Sequence, residues 1–332
     1  MKSKGYYSDK IKMCQIVRKL LMKTSMKLYE NCKLCPRECG VNRNENKGVC
    51  NSTNKCKVVR AALHFWEEPC ISGTSGSGTI FFEGCSLGCV FCQNYEISDG
   101  RAEHGVELSV ERLVDIFFEL KEKGANNINF VTPTHFMPHI KQAIIKAKEQ
   151  GFDLPFIYNT SGYEKVDCIK ELEGLIDVYL PDMKYAEDMN CNHDIAKDYS
   201  KASDYFKCAK EAIAEMYGQV GAPQFDEHGL IKKGVIVRHL ILPNHTKNSM
   251  KVIEYLYNTY KDDIYISIMN QYTPVKTPRM EAYPKLQRVI TKREYEKVID
   301  FTIELGVKNA FIQEGGTCKE SFIPDFNGEG AL

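Results

Sequence analysis

Six short apolar runs, each followed by a stretch of helical length, dominate the chain from Thr79 onward. Short runs rich in β-branched and aromatic residues are typical of buried strands, whereas apolar residues at a spacing near 3.6 are typical of helices. The predicted strands are residues 79–83, 127–132, 155–159, 176–180, 235–242 and 264–269. Six such repeats favour parallel strands with right-handed crossovers, either in an open doubly wound sheet or in a barrel.

The predicted helices between these strands are residues 107–123, 135–150, 163–173, 202–217 and 246–260. A further helix is predicted to begin at Thr291, because Thr291 and Glu294 have the Thr-x-x-Glu spacing of a capping box. Residues 186–233 are long for a single crossover, so we interpret them as an insertion over one face of the domain.

The part before the first repeat differs from the rest in composition. A helix is predicted within residues 1–30, and residues 31–70 form a cysteine-rich lobe that contains too little apolar material for a core of its own. Residues 71–332 are then interpreted as one catalytic domain.

Charge and cysteine content limit the function further. The chain has 44 Lys and Arg against 44 Asp and Glu, so it lacks the basic excess of proteins that bind nucleic acids. It contains no apolar run of about 18 residues, the length of a membrane helix, and no apolar signal core, so we expect a cytoplasmic protein. Because cytosolic reductants disfavour disulfides, its 14 cysteines indicate metal or redox chemistry.

Three cysteines follow the first predicted strand with the spacing C-x3-C-x2-C, namely Cys85, Cys89 and Cys92. A closed zinc site needs a fourth ligand nearby. A 4Fe-4S cluster usually has four cysteine ligands, so three leave one iron open to an outside ligand. A reactive centre is expected at this position, because it is the carboxyl end of a parallel strand.

This motif, with Phe91 before the third cysteine, resembles that of the radical S-adenosylmethionine enzymes; a zinc site or a plain iron–sulfur loop is the alternative. The resemblance implies that the three cysteines hold three irons of a 4Fe-4S cluster and that S-adenosylmethionine chelates the fourth. Reductive cleavage of this cofactor then yields a 5'-deoxyadenosyl radical that abstracts hydrogen from a substrate. The implied fold is α/β, a partial (β/α)6 TIM-like barrel with a small N-terminal cysteine-rich lobe.

A narrower resemblance is to the activating enzymes of pyruvate formate-lyase. Residues 91–94 are similar to their Tyr-Cys-His-Asn stretch, residues 159–162 to their Asp-Thr-Asn-Gly turn, and residues 181–184 to their Leu-Asp-Leu-Lys segment. The chain resembles in particular a group of homologues with Cys-x-x-Cys-Pro-Arg-x-Cys near the N-terminus, here residues 32–39.

The resemblance implies a set of residues that bind S-adenosylmethionine. Asn159 would face the cofactor with Asp182 and Lys184 beside it, and Arg238 would approach the methionyl carboxylate. The remaining implied residues are Phe91, Gln93 and Asn94 on the adenine side and Tyr272 near the nucleoside.

One segment departs from the family pattern. The family has Gly-Gly-Glu after the second strand, whose Glu binds the amino group of the cofactor, whereas this chain has Thr132, Pro133, Thr134 and His135. Hydroxyl and carbonyl oxygens accept ammonium hydrogens, so Thr134 is the predicted replacement.

A second group of cysteines consists of Cys32, Cys35, Cys39 and Cys50. Four thiolates within 19 residues satisfy a closed site for zinc or an iron–sulfur cluster, and simple packing of thiols in a small lobe is the alternative.

Several other polar residues receive structural interpretations. The loop from His64 to Cys70, with Glu67 and Glu68, is interpreted as solvated. His135 and His139 are interpreted as structural, and His239 is either a core residue or a functional one.

The resemblance therefore implies an oxidoreductase of the radical S-adenosylmethionine type that works under anaerobic conditions. Its substrate would be a glycine of a glycyl radical enzyme or another peptide, with a flavodoxin or ferredoxin as electron donor. The alternatives are modification of a different peptide or a small molecule, and a non-catalytic iron–sulfur protein in electron transfer or redox sensing.

Overall fold

A largely parallel sheet forms the centre of the molecule. The computed structural model describes residues 26–99, 105–187, 194–313 and 324–332. Within them, the strand order is β10-β9-β8-β6-β5-β4-β2-β1-β3, and β7 pairs with β8. The strands are β1 (Cys56–His64), β2 (Ser77–Phe82), β3 (Val106–Leu108), β4 (Ile128–Val131), β5 (Phe156–Thr160), β6 (Val178–Pro181), β7 (Gln224–Phe225), β8 (Ile231–Leu240), β9 (Tyr265–Met269) and β10 (Ala310–Ile312).

All neighbouring strands from β2 to β10 along this order pair in parallel. The six strands predicted from the sequence correspond to β2, β4, β5, β6, β8 and β9. Side chains on or directly after all six strands line the same cavity, so the sheet curves around it. This arrangement confirms the predicted partial (β/α)6 barrel.

Helices connect the strands of the barrel. They are α1 (Pro69–Ser72), α2 (Tyr95–Ser98), α3 (Val110–Glu122), α4 (Met137–Glu149), α5 (Val166–Lys170), α6 (Ile195–Ser200), α7 (Tyr205–Val220), α8 (Thr246–Tyr260) and α9 (Lys292–Leu305). The capping box predicted at Thr291 is present, since Thr291 and Glu294 bond reciprocally at the start of α9.

Two antiparallel strands extend the sheet beyond β2. β1 pairs with β2 and β3 pairs with β1, both antiparallel. The sequence analysis assigned residues 56–70 to the cysteine-rich lobe, but β1 belongs to the main sheet. The C-terminal residues also reach this edge, where Gly328 donates from its backbone N–H to the carbonyl of Val59 at 2.9 Å.

The cysteine-rich lobe, residues 31–55, packs against the carboxyl ends of β2 and β4. Buried Arg43 donates to the carbonyl oxygens of Ser52 at 3.1 Å and of His135, beyond β4, at 2.6 Å. The Ser52 hydroxyl contacts the Glu83 carbonyl at 3.2 Å, just after β2. The lobe is thus held directly beside the loop that carries Cys85.

The long crossover between β6 and β8 contains α6, α7 and the short strand β7. Helix α7 buries Ala209, Ile213 and Met216 in the main core, so this part of residues 186–233 is an ordinary layer of the barrel. Residues 188–193 of this segment lie outside the described residues, as does most of the helix predicted within residues 1–30. No helix in the described ranges has the length and apolarity that a membrane crossing requires.

The turn after β5 depends on Gly162, whose φ is +77° and whose added Cβ would overlap with the Asp182 carbonyl after β6. Gly174 has a similar φ of +72° but nothing within 4 Å of an added Cβ. We expect Gly174→Ala to lower the free energy of unfolding by about 1 kcal/mol, the cost of a left-handed conformation. Gly162→Ala should lower the free energy of unfolding by about 2–3 kcal/mol more than Gly174→Ala, because the backbone at Asp182 must move to make room for the Cβ atom. Denaturant unfolding of both variants measures the difference, and equal losses would contradict this account.

Candidate functional site

One cavity of about 240 Å³ lies at the carboxyl ends of the parallel strands. Parallel α/β folds place their reactive groups at this end. The wall residues on the strands or directly after them include Phe81, Val131, Asn159, Thr160, Asp182, Arg238, Leu240 and Met269. Trp66 and Pro324 complete the rim from outside the barrel strands.

The three cysteines after β2 all line this cavity and are partly buried. Burial, followed by the neighbouring thiols of Cys92 and Cys89, raises the pKa of Cys85 to about 12. Burial and Cys89 also raise the pKa of Cys92. The thiols are therefore close enough to repel one another as thiolates, and a bound cation would relieve that repulsion with release of protons.

The chemistry of this donor set fits an iron–sulfur cluster, because three thiolates from one loop leave a cluster iron open. In the described ranges, no three Cys, His, Asp or Glu side chains form a ready site for a single metal ion.

Two polar contacts hold the cysteine loop in place. The Arg37 guanidinium donates to the carbonyls of Ser86 at 3.0 Å and Leu87 at 3.1 Å, and also to the carbonyl of Ser200 at 2.7 Å. The Ser200 hydroxyl donates to Cys89 Sγ at 3.1 Å. The arginine of the Cys-x-x-Cys-Pro-Arg-x-Cys segment thus joins the lobe, the cysteine loop and α6, a role the sequence analysis did not assign.

The residues beside the third cysteine form one end of the cavity. Phe91 is buried and packs against the rings of Tyr185, Tyr199 and Tyr272 at centroid distances of 6.2–6.5 Å. Gln93 donates to the Gln271 carbonyl at 2.7 Å and lines the cavity, as does Asn94. The cavity wall here thus consists of the Phe91 ring and two side-chain amides, with the tyrosine rings packed behind Phe91.

The opposite wall is strongly polar and centres on Arg238. Its guanidinium donates to Asp182 Oδ1 at 3.0 Å and to Asn159 Oδ1 at 2.6 Å. A third hydrogen bond reaches Glu67 Oε2 at 3.3 Å. The structure therefore brings together Asn159, Asp182 and Arg238, three residues that the sequence analysis selected from separate strands.

Lys184 is the fourth selected residue on this wall, and its Nζ lies 2.5 Å from Asp182 Oδ2. Burial opposes ionisation of Asp182, but the charges of Lys184 and Arg238 outweigh burial and hold its pKa below the usual value. Asp182 is therefore an anion that accepts from two cations within the cavity.

The expectation of a solvated loop at Glu67 and Glu68 is wrong. Only 9% of the Glu67 side chain is exposed, and Glu68 is buried as well. Helix α1 follows, and its Ile71 packs with Ile157 of β5 and Ile236 of β8, which draws both acids into the barrel. Burial raises the pKa of Glu67, although Arg238 opposes the shift. Arg238 lies in an otherwise apolar part of β8, and a buried arginine requires a nearby carboxylate. This was the sequence signal for a buried partner such as Glu67.

Two residues selected for cofactor binding do not reach the cavity wall. The Thr134 hydroxyl donates to the buried carboxylate of Glu164. The Tyr272 hydroxyl donates to the Leu286 carbonyl at 2.6 Å, and its ring lies behind Phe91. Thr132, with a φ of +58°, lines the cavity at the end of β4 instead of Thr134.

The three histidines singled out in the sequence have structural hydrogen bonds. His135 Nε2 contacts the Glu83 carbonyl at 2.7 Å, and His139 Nδ1 contacts the Tyr29 hydroxyl at 2.9 Å. His239 is fully buried, with its ring nitrogens 2.6 Å from the Met183 carbonyl and 2.9 Å from the Ser249 hydroxyl. It is a core residue.

The second group of cysteines is also gathered. Cys32, Cys35 and Cys50 are buried, and the sulfurs of Cys39 and Cys50 both lie within 3.5 Å of where a Cβ on Gly48 would be. Burial, followed by Cys50 and Cys32, raises the pKa of Cys35. The buried guanidinium of Arg43 lies 3.9 Å from Cys32 Sγ and opposes the rise that burial causes in the pKa of Cys32.

Beneath the cavity lies Glu164, a buried carboxyl that accepts hydrogen bonds from Thr134 and Thr160. Its Oε2 has no hydrogen-bond partner among the described residues. Burial raises the pKa of Glu164 to about 7.

This shift makes folding depend on pH. The folded state retains the Glu164 proton where the unfolded chain has lost it, so the free energy of unfolding falls as pH rises from about 4 to 8. In Glu164→Gln the side chain cannot ionise. We therefore expect the free energy of unfolding of this variant to fall by about 3 kcal/mol less than that of the parent over this pH range. Chemical denaturation at several pH values measures it, with exposed Glu122→Gln as control, and parallel curves for both variants would contradict the assignment.

Comparison with known proteins places this site in a family. The model of the radical SAM superfamily matches residues 79–256, which include the cysteine motif and strands β2 to β8. The uncharacterized protein MJ0674 of Methanocaldococcus jannaschii is 29% identical over 289 residues, covering 85% of this chain and 77% of that protein.

Among solved structures, SuiB of Streptococcus suis bound to S-adenosylmethionine has 15% identity and a TM-score of 0.45, covering 70% of this chain and 48% of SuiB. SuiB bound to the precursor peptide SuiA has 12% identity and the same TM-score, covering 69% and 46%. This chain thus spans about half the length of the solved structures it matches. On the match of the family model to more than half of its residues, the chain belongs to the radical SAM superfamily.

Proposed function

We propose that the chain is a radical S-adenosylmethionine oxidoreductase in which Cys85, Cys89 and Cys92 ligate a 4Fe-4S cluster. The observation that carries this proposal is that all three thiols line one cavity with Asn159 and Arg238 at the carboxyl ends of the barrel strands. When bound, the cluster supplies the electron that cleaves S-adenosylmethionine to methionine and a 5'-deoxyadenosyl radical, which takes hydrogen from a substrate.

The remaining cavity residues would bind the two ends of S-adenosylmethionine. The Phe91 side, with Gln93 and Asn94, is suited to the adenine ring because it offers an aromatic face beside side-chain amides that can hydrogen-bond. Arg238 and Lys184 supply positive charge for the methionyl carboxylate. Arg37 and Ser200 have a positioning role, since they fix the cysteine loop and the sulfur of Cys89.

The amino group of the cofactor requires an acceptor that the Gly-Gly-Glu segment provides elsewhere in the family. We assign this role to Glu67, whose carboxylate lines the cavity, because the hydroxyl of Thr134 is directed to Glu164. Asp182 and Asn159 are further acceptors on the same wall.

We expect Glu67→Gln to weaken binding of S-adenosylmethionine to the reconstituted protein by about tenfold or more, because one charged hydrogen bond is lost. Thr134→Ala should leave the affinity unchanged. Isothermal titration calorimetry measures both, with Glu68→Gln as a matched carboxylate control. A Thr134→Ala protein that loses affinity while Glu67→Gln retains it would reverse the assignment.

The substrate we propose is a glycine of a glycyl radical enzyme, whose Cα hydrogen the radical would remove. Support comes from the turns at residues 159–162 and 181–184, which resemble those of the activases and which both contribute cavity residues. Modification of another peptide or of a small molecule is the alternative. A stable glycyl radical signal on an added partner protein would distinguish the two.

The enzyme proposal is tested by anaerobic reconstitution with iron and sulfide, followed by S-adenosylmethionine and dithionite. We expect the parent to form 5'-deoxyadenosine and the Cys85/Cys89/Cys92 triple alanine variant to form none, because the cluster loses its ligands. Cys208→Ala, a partly buried cysteine outside the cavity, is the control. A parent with a full cluster and no 5'-deoxyadenosine would instead support a non-catalytic iron–sulfur protein.

We also propose that Cys32, Cys35, Cys39 and Cys50 bind zinc or a second iron–sulfur cluster, supported by the burial of Cys32, Cys35 and Cys50 and by the nearby Arg43. The triple alanine variant should then retain metal, measured by elemental analysis, and lose it when Cys35 and Cys50 are also replaced by alanine. A triple variant free of zinc and iron would leave packing of thiols as the explanation.

A further inference from the structure

A second cavity, of about 570 Å³, lies beside the first one and has an unusual charge. Two carboxylates, Glu187 and Asp194, line it together with six lysines. The lysines are Lys207, Lys210, Lys247, Lys251, Lys285 and Lys297. Because the whole chain has equal numbers of basic and acidic residues, this excess is a local feature of one surface. We call it the basic cavity.

The lysines come from several elements that converge on this surface. Lys207 and Lys210 lie on α7, Lys247 and Lys251 on α8, and Lys297 on α9. Lys207, Lys247, Lys285 and Lys297 are exposed. The N-terminus of α8 also borders the cavity and adds the positive end of a helix dipole. A surface of this kind attracts and orients negatively charged partners.

Helix α6 separates the basic cavity from the cysteine site. Ile195 and Ala196, at its N-terminal end, line the basic cavity, whereas Ser200, its last residue, bonds to Cys89 Sγ. The two cavities are therefore one short helix apart.

A chain of direct contacts crosses this partition. His245, on the wall of the basic cavity, bonds through Nε2 to the Tyr199 hydroxyl at 2.8 Å. The Tyr199 ring packs on Phe91, and its carbonyl accepts from the Val90 N–H at 2.8 Å. Val90 directly follows Cys89, so the partition is packed without a gap from His245 to the cysteine loop.

We propose that the basic cavity is the docking site of an acidic electron-donor protein, which reduces the cluster across α6. This inference rests on the proposed function, because it requires a cluster at Cys85, Cys89 and Cys92. The donor's reduced flavin or iron–sulfur centre loses one electron and the cluster gains it, with no bond formed or broken. A protein fits better than a small anion because the lysines are spread over three helices and the segment before α9, a wider surface than one small ion contacts.

The test compares two triple variants with the same change in net charge. Lys207→Glu/Lys247→Glu/Lys297→Glu reverses exposed charges at the basic cavity, and Lys123→Glu/Lys170→Glu/Lys308→Glu reverses exposed charges away from it. Both are reconstituted with the cluster. The rate of cluster reduction is then followed by absorbance with photoreduced flavodoxin and, separately, with reduced methyl viologen, a small cationic reductant.

We expect the cavity variant to be reduced by flavodoxin at least about tenfold more slowly than the parent at low ionic strength, with the difference shrinking as salt is added. With methyl viologen, the cavity variant should be reduced at the same rate as the parent. The control variant should be reduced at the same rate as the parent by both reductants. Equal flavodoxin rates in the two variants would overturn the proposal, and so would a cavity variant that loses binding of pyrophosphate while its flavodoxin rate is unchanged. Formation of 5'-deoxyadenosine with methyl viologen tests the proposed function independently, and a parent without a cluster would overturn both.

Discussion

The polar wall of the barrel depends on one buried guanidinium. Arg238 joins the end of β5 at Asn159, the residue after β6 at Asp182, and the loop before α1 at Glu67. Loss of one partner from such a buried group leaves a charge without compensation, at a cost of about 3–5 kcal/mol. The same network gives the cavity fixed charges of both signs, which a zwitterionic ligand such as the methionyl part of S-adenosylmethionine requires. Stability and binding thus share one set of contacts.

Two arginines connect the cysteine-rich lobe to the barrel through different contacts. Arg43 is buried within the lobe and bonds across to the segment after β4, whereas Arg37 bonds to the loop that carries Cys85 and Cys89. Gly84 makes this close approach feasible, because an added Cβ would overlap with Ser52 and Cys50 of the lobe. The lobe therefore supports the geometry of the cysteine loop.

The elements of the fold that depend on local sequence patterns could be predicted. The parallel strands were visible because each is a short apolar run, and the capping box at Thr291 was visible because it involves residues three apart. Strand β1 was missed because Lys57 and Arg60 interrupt its apolar residues and because it follows the cysteines directly. Glu67 was misjudged for a related reason: two adjacent acids beside an exposed Trp66 have the composition of a solvated loop, and their partner Arg238 is 171 residues away.

The sequence by itself determined the strand–helix alternation, the cysteine motif and the strand-end residues Asn159, Asp182 and Arg238, because the order of elements and the type of side chain are local properties. Only the tertiary structure decided which of these residues share a cavity, that Glu67 belongs among them, and that Thr134 is turned toward Glu164 instead. It also gathered six lysines of a neutral chain on one surface, across α6 from Cys89. Such arrangements depend on contacts between segments that are distant in the sequence. These contacts form only when the helices pack on the sheet, and local sequence patterns do not specify that packing.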